Sequence, residues 1–103
     1  MDRYRSMVRR IIDDTLKCMV GFEGDYRDRI RENIGLKLID IVEEAIDRIT
    51  PIVVMRKSNN LIYCRLCLKG PFTKRGLYLH LRRIHKEEIE TKLLEEISRI
   101  IGI

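Results

Sequence analysis

Residues 64–85 read CRLCLKGPFTKRGLYLHLRRIH. Two cysteines two residues apart, a gap of twelve, then two histidines four residues apart give C-x2-C-x12-H-x4-H, a spacing that fits a tetrahedral zinc site. A two-residue gap lets a tight knuckle turn the Cys64 and Cys67 thiolates to the same side. On a helix, His80 and His85 stand about a turn and a half apart, near enough for both imidazoles to reach one ion. The chain has 2 histidines and both fall where the pattern needs them. A redox Cys-x-x-Cys pair would leave those histidines unexplained.

This stretch resembles the C2H2 (two-Cys, two-His) zinc-finger family over about 25 residues, and single-finger proteins of hyperthermophilic archaea and their viruses in particular. Leu77, three before His80, stands where the family keeps its core leucine. Ile62 stands where it keeps an aromatic, with Tyr63 one place late; Pro71 stands at the phenylalanine position, and Phe72 follows. The resemblance implies a ββα fold around one structural Zn2+ held by Cys64, Cys67, His80 and His85. It also implies a DNA partner. The family's usual base-reading helix positions −1, 3 and 6 fall on Thr73, Gly76 and Leu79, with Arg75 at position 2, and none of the three is an Arg, Asn or Gln able to make a bidentate base contact. Phosphate contacts are therefore expected to dominate.

Charge points the same way. Residues 51–86 hold nine lysines and arginines and no acid, whereas residues 1–24 carry five cations and four acids, 25–50 five and seven, and 87–103 two and five. A solvated face mixes signs; a single-sign stretch over a metal module favours a polyanion. On a helical wheel Arg75, Arg82, Arg83 and Lys86 lie opposite the finger core, with Lys69 and Lys74 nearby. With Thr73, these are the candidate nucleic-acid-binding residues. RNA is a variant of this reading, with Phe72 and Tyr78 as the aromatics near the finger.

Working outward, Tyr4, Val8, Ile11, Ile12, Leu16 and Met19 recur at helical spacing and predict a helix from Asp2 to about Val20. Gly21 and Gly24 bracket a turn, and Asp25 is an N-cap for a second helix. That helix carries Tyr26, Ile30, Ile34, Leu38, Ile41, Ala45 and Ile49 and stops before Pro51. Residues 52–57, IVVMRK, suit either an extra strand on the finger hairpin or an extended linker, with Ser58–Asn60 as a turn. From Thr73 to about Ile101 nothing after Gly76 breaks the helical pattern, so one long helix is predicted. Its tail stripe, from Ile89 to Ile101, needs a partner surface.

The expected fold is α+β: an N-terminal helical hairpin plus a ββα C2H2 finger whose helix extends into a long C-terminal amphipathic helix. The expected divisions are 1–50 for packing or oligomerisation, 51–86 for the finger with its extra strand, and 87–103 for the extension packing with 1–50. The tail stripe closes either within one chain or across a homodimer. With 103 residues the core is small, and a structural metal adds needed stability. Cys18 sits in an apolar helical context as a small hydrophobe. With two thiols assigned to zinc, the odd thiol count argues for a reducing, intracellular setting. Sixteen isoleucines, fourteen arginines, one alanine and no glutamine match a hyperthermophile's usage.

The expected function is that of a zinc-dependent DNA-binding protein, a transcription regulator acting mainly through phosphates. The alternative is a protein-interaction module in which the finger is only structural. Four protein ligands leave no open metal position, and neither an acid–base pair nor a phosphate loop is apparent, so no enzyme activity or small-molecule substrate is expected. Asp13 and Asp14 interrupt the cationic face of the first helix, and the apolar runs are too short for a membrane span.

Overall fold

Helix α1 (Asp2–Val20) is the mast of the structure, since it touches every other helix. The computed structural model describes residues 2–102; Met1 and Ile103, the outer ends of the two expected terminal divisions, lie outside them. The apolar spacing of α1 is the cause of its position, because Val8, Ile11, Leu16, Met19 and Val20 are each at most 1% exposed.

After Gly21 the chain turns back, and α2 (Tyr26–Asn33) runs antiparallel to α1. Lys17 lies over the Tyr26 ring, 5.2 Å from its centroid, and Arg29 is 4.0 Å from Asp14. A second reversal leads into α3 (Leu36–Val53), which is held against α2 by Arg27–Asp47 at 2.7 Å and Arg31–Glu43 at 2.9 Å. The last helix, α5 (Lys86–Ile101), packs on α3 and α1. Its Ile89, Leu93 and Ile97 are completely buried, so the tail stripe is consumed within the chain.

Between α3 and α5 lies the smaller lobe. Helix α3 runs without a loop into β1 (Val54–Arg56), which pairs antiparallel with β2 (Ile62–Cys64) in the register Val54↔Cys64, Met55↔Tyr63, Arg56↔Ile62. The turn between them is closed by Lys57 N–H donating to the Leu61 carbonyl at 3.0 Å, with Asn60 in the left-handed region. Helix α4 (Lys74–Ile84) follows, buries Leu77 and Leu81 completely, and touches α1.

This architecture corrects the expected fold class. The described residues form five helices and a two-stranded sheet, a mostly helical protein and not a hairpin plus a ββα finger with one long helix. The sheet is built from β1 and β2, while the downstream strand of a finger hairpin is reduced to a single bridge between Ile62 and Phe72.

Two expected helices are each broken. The segment expected to run unbroken from Asp25 is interrupted at Ile34 and Gly35, both extended, with φ/ψ of −127°/140° and −65°/155°. Asn33 caps the break by donating its side-chain amide to the Arg29 carbonyl at 2.8 Å. Ile34 remains buried, which is why the apolar period ran on through the break. The helix expected from Thr73 to Ile101 is broken at His85, whose ψ of 9° ends α4 and starts α5. Glu87 and Glu88 directly after it suit the positive end of a new helix.

Pro51 also departs from expectation: it lies inside α3, in its last turn. Proline lacks only the N–H that would have met the Asp47 carbonyl, and burial of Val53 and Val54 keeps the chain helical up to β1. Among the described residues, no helix is long and apolar enough to cross a membrane.

Candidate metal centre

The two cysteines are positioned by a knuckle at the end of β2. Cys64 N–H donates to the Lys69 carbonyl at 2.9 Å, and Leu68 N–H donates to the Cys64 carbonyl at 2.7 Å, which folds Cys67 back over Cys64. The turn needs Leu68 in the left-handed region, at φ 61°, a conformation costing a branched-chain residue about 1–2 kcal/mol. Gly70, at φ 142°, lies against Tyr63, where an added Cβ would come within 2.7 Å of the ring. The histidines come from the other side, His80 from within α4 and His85 from the break after it.

These elements bring one ligand atom from each of Cys64, Cys67, His80 and His85 to within 4.8 Å of one another. Cys67 Sγ is 3.3 Å from His80 Nε2, and the two imidazoles meet edge-on with centroids 5.0 Å apart. His85 Nε2 is buried with no hydrogen-bond partner. A buried ring nitrogen without a partner is costly and needs an explanation, and a metal ion supplies one. Two sulfurs and two imidazole nitrogens, all on rigid backbone and facing one point, are positioned to bind one metal ion.

One residue missed in the sequence, Glu88, and one read there only as a displaced aromatic, Phe72, complete the site. Glu88 Oε1 lies 3.0 Å from His85 Nδ1, which directs Nε2 inward, the role a carboxylate plays behind a metal-binding histidine. Its spacing of three from His85 was the available signal. Phe72, one place later than the family pattern puts its phenylalanine, stacks on His80 with centroids 4.9 Å apart.

The thiols and rings differ in their tendency to hold protons. Burial opposes ionisation of Cys67, but the neighbouring His85 and the Lys69 backbone outweigh it and hold the thiol below its ordinary value. Burial pushes the Cys64 thiol up. Burial also holds His80 below the ordinary imidazole value, helped by the charge of His85. His85 itself is raised, because the nearby Cys67 and its bond to Glu88 outweigh burial. Metal ligands must be deprotonated, so binding here releases protons.

Five of the seven candidate nucleic-acid residues line grooves of the surface. Thr73 caps α4, its Oγ1 accepting from Gly76 N–H at 2.9 Å. Thr73 and Lys74 share a cavity of about 440 Å3 with Arg56 and Lys57. Arg75 and Arg82 line a second, of about 400 Å3, with Lys17 from α1. Arg82 is also 3.6 Å from Asp13, whose other partners are the Tyr78 hydroxyl, donating at 2.7 Å, and the Lys17 ammonium at 3.4 Å. Lys86 lies apart, in a groove of about 570 Å3 with Arg5, Arg9, Glu87 and Glu90. Lys69 belongs to the knuckle, and Arg83 is exposed on α4.

No protein-family model, curated protein or solved structure matches this chain.

Proposed function

We propose that the chain is a zinc-dependent DNA-binding protein of the C2H2 type, acting as a transcription regulator and gripping duplex DNA mainly through its phosphates. The observation that carries this reading is the coincidence of the four-ligand cluster with the acid-free segment 51–86. A sulfur–nitrogen donor set suits zinc. Tetrahedral bonds of about 2.0–2.3 Å would separate the donors by about 3.3–3.8 Å, a contraction of about 1.5 Å at most from the spread observed. When bound, the ion supplies cross-linking of the knuckle to α4. Four protein ligands leave it no open position for catalysis.

Arg75 and Arg83 are exposed on α4, away from the buried Leu77 and Leu81, and offer cations to a phosphate backbone. Thr73, Gly76 and Leu79 at the reading positions offer no bidentate base contact. The apolar stripe of α5 that a protein partner would need is occupied by α1 and α3, which favours the DNA reading over the protein-interaction one.

The test is fluorescence anisotropy of zinc-loaded protein on mixed-sequence duplex DNA across a range of salt. Affinity should fall steeply with salt and disappear on chelation. The double variant Arg75→Ala, Arg83→Ala should lower the log–log salt slope by about 2. Absence of binding at low salt, with the metal bound, defeats the proposal.

A further inference from the structure

The turn between α1 and α2 brings aromatic side chains to the finger helix that no local reading of segment 64–85 could supply. Phe22 lies against Tyr78 of α4, ring centroids 5.6 Å apart, and Tyr26 lies 6.3 Å from Phe22. The cavity of about 400 Å3 beside them is lined by these three rings and by three cations, Lys17, Arg75 and Arg82. The Lys17 ammonium sits 5.2 Å from the Tyr26 ring centroid and 5.5 Å from that of Tyr78. Phe22 and Tyr26 are only half-buried, so their rings are reachable from solvent.

A second basic cavity adjoins this turn. It is lined by Arg56, Lys57 and Lys74. Gly21, at φ 89°, is where the turn presses on two of them. A Cβ there would meet Arg56 Nη2 at 3.0 Å and Lys74 Cε at 3.8 Å. Arg56 is held in place by donating to the Met19 carbonyl at 3.3 Å. The α1–α2 turn thus joins a basic cavity to an aromatic one along the flank of α4.

Rings interleaved with cations are the chemistry that binds an unpaired strand: the ring stacks on a base face, and the cations take the phosphates on either side. Within a duplex both faces of a base are covered by its neighbours, and such rings have nothing to stack on. We infer that the cavity formed by Phe22, Tyr26 and Tyr78 with Lys17, Arg75 and Arg82 receives an unstacked base of a DNA strand, whose phosphates continue toward Arg56 and Lys74. This rests on the proposed DNA binding and adds a preference to it: the protein holds single-stranded or locally opened DNA through three rings that duplex DNA does not use.

The experiment compares a labelled single strand with its duplex on the zinc-loaded full chain, for wild type, Tyr26→Leu and Tyr26→Phe. Tyr26→Leu keeps apolar bulk and removes the ring, and it should weaken single-strand binding about 5- to 100-fold while changing duplex binding less than about twofold. Tyr26→Phe should bind like wild type. A single strand carrying 5-iodouracil should photocrosslink to Phe22, Tyr26 or Tyr78, a readout that requires no variant to fold. Equal effects of Tyr26→Leu on both DNAs, or crosslinks only elsewhere, overturn the inference and leave duplex binding standing. Failure of wild type to bind either DNA at low salt overturns both.

Discussion

The helical body and the metal lobe are held together by different physics. In the body, Ile11, Leu16, Ile89, Leu93 and Ile97 are buried to completion, and α1, α3 and α5 cover one another's stripes. In the lobe, residues 54–85, the sheet has three-residue strands, Leu68 sits in a strained conformation, and His85 Nε2 is left without a partner. The body is held by buried apolar stripes, whereas the lobe also gathers four ligand atoms positioned to bind one metal ion. The two regions should therefore answer differently to loss of the metal.

The largest effect tests that difference directly. Cys64→Ser with His80→Ala should abolish stoichiometric metal binding, which in finger peptides is worth about 10–16 kcal/mol. Amide hydrogen exchange should then show protection lost across 54–85 and retained in α1, α3 and α5. Uniform loss over the whole chain would erase the distinction between the regions. Next in size, Ile97→Ala should cost about 2–5 kcal/mol in urea unfolding, by the same amount with and without metal, because its surroundings belong to the body.

Glu88→Ala sharpens the comparison at the boundary. It should lower metal affinity about 10- to 100-fold in competition with a chelator while leaving the circular dichroism of the loaded protein unchanged. The smallest effect concerns the seam between the regions. Asp13→Ala removes the acceptor of the Tyr78 hydroxyl and the neighbour of Arg82, and at this half-exposed site should cost about 1 kcal/mol. Burial works to raise the Asp13 carboxyl, but its bond from Tyr78 and the charges of Lys17 and Arg82 bring it below 3.8 in the folded state. A depressed carboxylate contributes stability above its unfolded value and loses it as pH falls through the folded one. The wild type should accordingly lose more stability than Asp13→Ala on acidification below about pH 4.

Much of the site was legible because ligand spacing is a local matter. The knuckle and the two helix positions specify themselves within a few residues, so Cys64, Cys67, His80 and His85 could be read together. The helical stripes were legible for the same reason. What was lost were the breaks. Ile34 is buried although its backbone is extended, so the apolar period gave no sign of it, and Asn33 with Gly35 was the signal that outweighed it. At His85 the sign was the acid pair Glu87–Glu88, which begins a helix. The contacts of Tyr78 with Asp13 and Phe22 join residues 65 and 56 positions apart, which no periodicity reports.

The joins at the two ends of the lobe have a practical meaning. On one side α3 passes into β1 without a loop, and the Val53 carbonyl still accepts from Arg65 N–H at 2.8 Å, across the base of the hairpin. On the other, His85 ends one helix and begins the next. The lobe is therefore no detachable cassette. A graft of residues 54–86 onto a flexible tether would carry the four ligands and leave behind both abutments that orient them, so swapping this unit between proteins means moving α3 and α5 with it.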